Sequence, residues 1–229
     1  AYDIAVIAKH LLQDFPEVTK YTSKPTALFS NTQIENPNLM LEGMPNYRSG
    51  VDGLRVSNST KGGITFAAST TQNGIHMITV VLGVEAVDGD PYARFVATSS
   101  LMNYVVRTFV SSIVVKEGDP YGKSKATVMD GKSETVLAVA KKDFYIVEKQ
   151  GSQAEPKIQF KSDQESFRAP VKSGTNLGKL HYTDPDKIGR GYLEDQEPTV
   201  DMVSGRTIEK SFFLKVWWNE FVRYVNEKL

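Results

Sequence analysis

Ile4, Ala5, Ile7, Ala8, Leu11, Leu12 and Phe15 recur at the spacing of one helical face, and Pro16 ends the run. The spacing predicts an amphipathic helix with one buried stripe. From about Tyr21 to Ser49 the chain is crowded with Asn, Pro, Thr and Ser and shows no clear period, so a long connection with short extended pieces is expected. The pattern then switches to strands at Val51 to Val56, Ile64 to Thr70 and Ile75 to Val84. Lys61-Gly62-Gly63 separates the first two, and Asn73-Gly74 separates the next two. Asn and Gly both tolerate the positive φ that a tight hairpin demands, so the three runs read as an antiparallel meander. Asp90-Pro91 opens a further helix, with Pro in the first turn, where its missing N–H costs nothing. Phe95, Leu101, Met102, Val105, Val106 and Phe109 give that helix an apolar face for the sheet.

Near Val110 the pattern changes again. Short β-rich runs (Ile113 to Val115, Val136 to Ala140, Phe144 to Val147, Lys157 to Phe160) alternate with turns, the clearest being Gly118-Asp119-Pro120 and Asp130-Gly131. This continues to about Val203 and predicts a small all-β module. The final stretch, Ile208 to Leu229, returns to helical period over roughly 33 Å. Phe213, Leu214, Trp217, Trp218, Phe221, Val222, Tyr224, Val225 and Leu229 occupy about half its circumference. The expected division is 1–110, 111–206 and 207–229.

Composition narrows the function. An apolar fraction of 40% over 229 residues is that of an ordinary globular chain. With 27 acidic and 27 basic side chains the net charge is zero, and no basic cluster follows a phosphate backbone, so nucleic acid is not an expected partner. The absence of cysteine excludes disulfides, thiolate metal sites and cysteine nucleophiles. His10, His76 and His181 are each isolated in sequence, so no metal and no other cofactor is expected. No signal peptide or membrane-spanning apolar run is present. The chain opens on Ala1 rather than Met, which is the expectation for a processed or trimmed chain.

The middle block carries a family resemblance. Val51-Asp52-Gly53-Leu54, then Gly63-Ile64-Thr65-Phe66-Ala67-Ala68-Ser69, Asn73-Gly74 and Ile78-Thr79-Val80-Val81-Leu82-Gly83 resemble, in order and spacing, the third-motif region of serine D-alanyl-D-alanine carboxypeptidases. These are low-molecular-weight penicillin-binding proteins. The Tyr2-Asp3-Ile4-Ala5 opening resembles a helix that follows their second motif, and Phe212 to Trp218 resembles the terminal helix of streptococcal members. The resemblance implies an α/β fold: part of the penicillin-binding and β-lactamase-like antiparallel sheet with its helices, then a small all-β domain and a C-terminal amphipathic helix. Residues 1–110 would be the C-terminal portion of the transpeptidase-like domain, and 111–206 a β-rich stalk.

In this family a Ser in Ser-x-x-Lys attacks the D-Ala-D-Ala carbonyl, with the Lys as base, and an acyl-enzyme forms. A Lys-Thr-Gly strand holds the terminal carboxylate and supplies an oxyanion-hole N–H. The present sequence contains neither Ser-x-x-Lys nor Ser-x-Asn, and Arg55-Val56-Ser57 stands where Lys-Thr-Gly is expected. Arg55 keeps the positive charge in a different shape. Val56 lacks a hydroxyl whose bond to a charged group is worth about 1.5–3 kcal/mol. Ser57 adds a Cβ where Gly admits close approach.

The resemblance therefore makes Arg55 the candidate at the catalytic Lys position, with Val56, Ser57 and Asn58 as a degenerate substrate-binding segment. From sequence alone Arg55 also reads as an exposed edge-strand Arg, and Ser57 and Ser59 as turn serines. The implied ligands are a peptidoglycan stem peptide or a β-lactam. A companion fragment carrying Ser-x-x-Lys is a further expected partner. Phe213, Leu214, Trp217, Trp218, Phe221, Tyr224 and Val225, flanked by Lys210, Lys215, Arg223 and Lys228, are expected to face a membrane surface. The implied location is peripheral, at the extracellular face of the cytoplasmic membrane. The alternative is a non-catalytic envelope module, binding wall precursors or serving as a scaffold.

Overall fold

The computed structural model describes the chain except residues 86–89, 91, 188, 190 and 229, together with the side chains of residues 223 and 226–228. Pro91 and Leu229, to which the sequence assigned helix positions, lie outside the described residues. The described chain divides into two compact units: 1–111 with 147–151, and 112–146 with 152–229.

In the first unit the leading apolar period forms α1 (Tyr2–Asp14), which buries Ala8 and Leu12. Ile4, Ile7 and Phe15, expected in the same stripe, are exposed. The helix rests along one narrow line on the sheet, so a stripe wider than that line stays in solvent. Pro16 begins a 3₁₀ turn, and α2 (Thr19–Thr22) follows. The connection predicted after Tyr21 contains a hairpin, β1 (Thr26–Phe29) and β2 (Thr32–Glu35). Ser30 and Asn31 turn it at positive φ, and every residue of both strands is exposed.

The meander is present as β3 (Val51–Ser59), β4 (Gly63–Gln72) and β5 (Ile75–Val84), antiparallel in the order β3-β4-β5. Asn73 and Gly74 sit at φ 51° and 75°, the geometry for which that pair was read. Helix α3 (Ala93–Thr108) begins after Tyr92, with Asp90 Oδ1 accepting the Tyr92 N–H at 2.8 Å. Phe95 and Met102 are buried with Phe66, Ala68, Ile75, Met77 and Val81 of the sheet. The Phe66 and Phe95 rings meet edge to face at 5.5 Å. Leu101, expected on this face, is exposed instead. Arg94 and Thr98, polar residues not expected on this face, are buried.

β6 (Phe109–Val115) and β9 (Phe144–Lys149) pair with each other as a two-stranded sheet. The second unit is built on six strands: β7 (Pro120–Met129), β8 (Thr135–Ala140), β10 (Lys157–Ser162), β11 (Phe167–Arg168), β12 (Asn176–Thr183) and β13 (Thr199–Ser204). Their order is β10-β12-β13-β8-β7-β11, antiparallel except for the parallel pair β11 and β7. Alternate residues Val136, Ala138 and Ala140 of β8, Leu180 and Tyr182 of β12, and Val200 and Met202 of β13 fill its core. Gly178 lies at the β12 bulge, where a Cβ would come within 2.1 Å of the Lys161 carbonyl oxygen. The terminal helix, α4 (Phe213–Lys228), starts later than the sequence period suggested. Ile208 is not on it. That residue is buried and exchanges main-chain hydrogen bonds of 2.7 and 3.0 Å with Val171, and this pairing keeps the chain extended. No described helix is long and apolar enough to cross a membrane.

Candidate substrate groove on the edge strand

Among the described residues β3 has one paired edge and one open edge, because β4 is its one strand neighbour in the sheet. Its start is held by the chain that precedes it. The Thr22 hydroxyl donates to the Asp52 carbonyl at 2.6 Å, and a Cβ on Gly53 would lie 2.6 Å from that hydroxyl oxygen. The Asn36 amide donates to the carbonyls of Thr22 and Lys24 at 3.0 and 3.1 Å. The Asn38 amide donates to the Gly53 carbonyl at 3.4 Å. Glycine at 53 thus lets α2 and the Asn36–Asn38 turn close directly onto the strand.

These contacts frame a cleft of about 290 Å³ whose wall includes Tyr21, Ala27, Ile34, Leu54, Arg55 and Val56. A second cleft of about 250 Å³ adjoins it through Pro37 and Val56, and reaches Ser57, Asn58, Arg94 and Phe95. The four residues singled out from sequence therefore lie in a row along the wall of a groove. Arg55 is exposed and Val56 half-buried, as strand alternation requires, with Val56 packed on the core beneath α3. Asn58 is exposed at the far end. Ser59 is a turn serine, its hydroxyl oxygen accepting the Gly62 N–H at 2.8 Å.

Arg94 is the residue that sequence reading missed. Only 5% exposed, it donates through Nη1 to the carbonyls of Ser57 (3.1 Å) and Thr65 (3.2 Å), and through Nη2 to Asn58 Oδ1. Its Nε has no partner. Burial lowers its pKa from the usual guanidinium value, yet a guanidinium remains charged at any physiological pH. The groove thus has two exposed cations on its wall, Lys24 and Arg55, together with the Glu35 carboxylate, and one buried cation, Arg94, beneath its far end. The one signal that could have found it is an Arg within the buried 94, 95, 98, 102 spacing of α3.

Elsewhere in this unit Ser69 Oγ lies 2.9 Å from His76 Nε2. Ser69 is fully buried, so the pair presents no accessible nucleophile. In the second unit, Phe213, Leu214, Trp217, Trp218, Phe221 and Tyr224 of α4 are all exposed, and Val225 is half-exposed.

An edge-strand groove in an antiparallel sheet with α3 against it, followed by an all-β unit, is the order in which two known families match this chain. Residues 1–86 match the family described as D-alanyl-D-alanine carboxypeptidase, and residues 109–210 match the penicillin-binding protein 5 C-terminal domain. The chain belongs to the D-alanyl-D-alanine carboxypeptidase type of penicillin-binding protein, and contains part of the peptidase domain followed by that C-terminal domain. Among solved structures it is similar to a peptidoglycan synthesis regulatory factor (PBP3) from Streptococcus pneumoniae. That similarity has a TM-score of 0.87 and 43% identity, over 91% of this chain and 57% of the other. Penicillin-binding protein 5 from Haemophilus influenzae shares the fold, with a TM-score of 0.61 at 24% identity, over 91% of this chain and 56% of that one. Among curated proteins, D-alanyl-D-alanine carboxypeptidase DacA of Haemophilus influenzae is 27% identical over 80% of this chain and 44% of its own length. DacC of Escherichia coli is 24% identical over 95% of this chain and 50% of its own length. The chain thus spans about half the length of the curated relatives it matches.

Proposed function

We propose that this chain supplies the substrate-strand side and the membrane-proximal stalk of a serine-type D-alanyl-D-alanine carboxypeptidase acting on peptidoglycan stem peptides. The observation that carries the proposal is the groove along the open edge of β3, in a chain matched by both domains of that family. An extended stem peptide laid on this edge pairs with strand main chain, and Arg55 places positive charge beside its terminal carboxylate. Arg94 adds to that potential from below. Val56 offers no hydroxyl to the carboxylate, so the strand orients its ligand less firmly than a Lys-Thr-Gly strand does.

The 229 residues hold no Ser-x-x-Lys, so acylation requires a nucleophile and base from residues outside them, on this polypeptide or on a companion. By themselves they bind and do not turn over. The exposed aromatic side of α4, an amphipathic helix with Lys210 and Lys215 at its start, is read as the surface that rests on lipid at the outer face of the cytoplasmic membrane.

Intact-mass measurement before and after incubation with a penicillin tests the proposal. The expected result is no adduct on these residues alone. An adduct on this chain overturns the assignment of the nucleophile elsewhere. A second reading, a non-catalytic module that binds wall precursors, is favoured by Asn58, whose amide reaches across to occupy Arg94 at the end of the groove. It predicts stem-peptide binding with no acylation even when the Ser-x-x-Lys-bearing residues are supplied.

A further inference from the structure

Helix α4 has no fully buried residue among those described, and only Val216, Asn219 and Val225 are half-buried, so packing alone holds it weakly. Two separate polar attachments fix it further, both within the second unit. The first is at its root. Ser211 N–H donates to the Asp130 carbonyl at 2.8 Å, Lys132 N–H donates to the Glu209 carbonyl at 2.9 Å, and Gly131 bridges Lys210. The second lies about two turns into the helix, where Arg168 Nη2 donates to Glu220 Oε1. Arg168 Nε meanwhile donates to Asp130 Oδ2 at 3.2 Å, and the Asp130 side chain is 1% exposed. Arg168 is itself fixed at both sides. It pairs with Met129 in the parallel β11–β7 contact, Ala169 N–H donates to the Met129 carbonyl, and Val171 is bridged to Ile208.

We propose that Arg168 is a positioning residue that sets the direction and roll of α4 on the β-rich unit. The proposal rests on the reading of α4 as the lipid-facing element and adds how that face is aimed. Two attachment points about 10 Å apart along a helix determine both its direction and its roll. At 100° per residue, Glu220 lies 20° from the line of Phe213 and 40° from that of Tyr224, at one border of the aromatic face. A contact at a border resists rolling in a way that a contact in the middle of the polar side does not. The guanidinium fork matters here, because one cation has to serve two carboxylates in different directions, and a Lys ammonium has no such fixed geometry.

The absence of cysteine allows a direct test in the full chain. Nitroxides at Val222→Cys on α4 and Thr127→Cys on β7 report the angle of the helix as a distance distribution. The parent is expected to give one narrow peak. Glu220→Gln, which leaves the Asp130 corner intact, is expected to broaden it, with a roughly two- to fivefold loss of the docked population, the scale of an exposed ion pair. Arg168→Lys keeps the charge and is expected to broaden it as well. Quenching of Trp217 and Trp218 by brominated lipids, in vesicles of phosphatidylglycerol and phosphatidylethanolamine, should change from one depth in the parent to a spread of depths in both variants. An unchanged distance peak in both variants overturns the positioning role. An unquenched parent that keeps its narrow peak overturns the lipid-facing reading instead.

Discussion

Helices α3 and α4 each run for 16 residues and bear several large apolar side chains, yet they end in opposite surroundings. α3 hides Phe95, Thr98, Met102 and even an arginine against the sheet, while α4 leaves two tryptophans and three other aromatic rings in solvent. The sharper division of apolar from polar residues belongs to α4, the helix with no core. A divided helix surface therefore shows that a partner of matching polarity is needed, but does not say that the partner is the same chain. What decides it for α3 is shape and polar satisfaction: Phe95 meets Phe66 edge to face, and Arg94 finds three oxygens within reach.

Paired truncations test this contrast most strongly. Met102→Ala removes a fully buried side chain and is expected to lower the stability of the first unit by about 2–5 kcal/mol in chemical denaturation. Phe221→Ala should change stability by less than about 0.5 kcal/mol, yet weaken vesicle binding roughly tenfold if its ring enters lipid. Equal effects on folding in the two helices would erase the distinction. A smaller effect is expected at Arg94. Arg94→Met keeps the bulk but removes the guanidinium from the Thr65 carbonyl and the Asn58 amide oxygen and leaves the Ser57 carbonyl with the Thr65 hydroxyl alone, at a cost of about 1–3 kcal/mol. The loss should be accompanied by faster amide exchange at the β3–β4 end, whereas uniform exchange across the sheet would argue against a local clamp.

The smallest effect separates the units by pH. Burial first, then repulsion from Lys161 and Lys179, holds the His181 pKa below its usual 6.5 despite the opposing pull of Glu197. A folded-state pKa below the unfolded one gives stability that is present above about pH 6.5 and lost as pH falls through the folded value. Melting of the second unit should therefore shift downward between pH 7.5 and 5. His181→Gln should flatten that shift, and a shift of equal size in the variant would assign it to other groups.

The sheet was legible because its turns were chemical. Asn73-Gly74 has the chemistry of a hairpin turn, and it fixed the pairing of β4 with β5, two of the longest strands. Strand β7 was not legible: its inward positions are Ser124, Ala126 and Val128, two of them too small to stand out against Lys123 and Lys125. The β1–β2 hairpin left no trace of alternation, since neither of its faces is buried. Of the groove, the strand that carries Arg55 to Asn58 could be read. The wall opposite could not, being held by side-chain hydrogen bonds from Thr22, Asn36 and Asn38 to main-chain carbonyls, which leave no periodic mark. Arg94 went unread because the pattern treats every arginine as polar surface, and burial of a cation becomes visible only once the carbonyls that receive it are placed.

The exposed β1–β2 hairpin has a consequence for how the groove behaves over time. Ala27 and Ile34 form part of the cleft wall, but the two strands carrying them bury no side chain. A two-stranded ribbon without a covered face is marginal in water, so its local opening costs far less free energy than unfolding of the sheet it faces. One bank of the groove is therefore as firm as the core of the unit and the other gives way first. A ligand too wide for the resting cleft can be admitted by displacing that bank while β3 keeps its register.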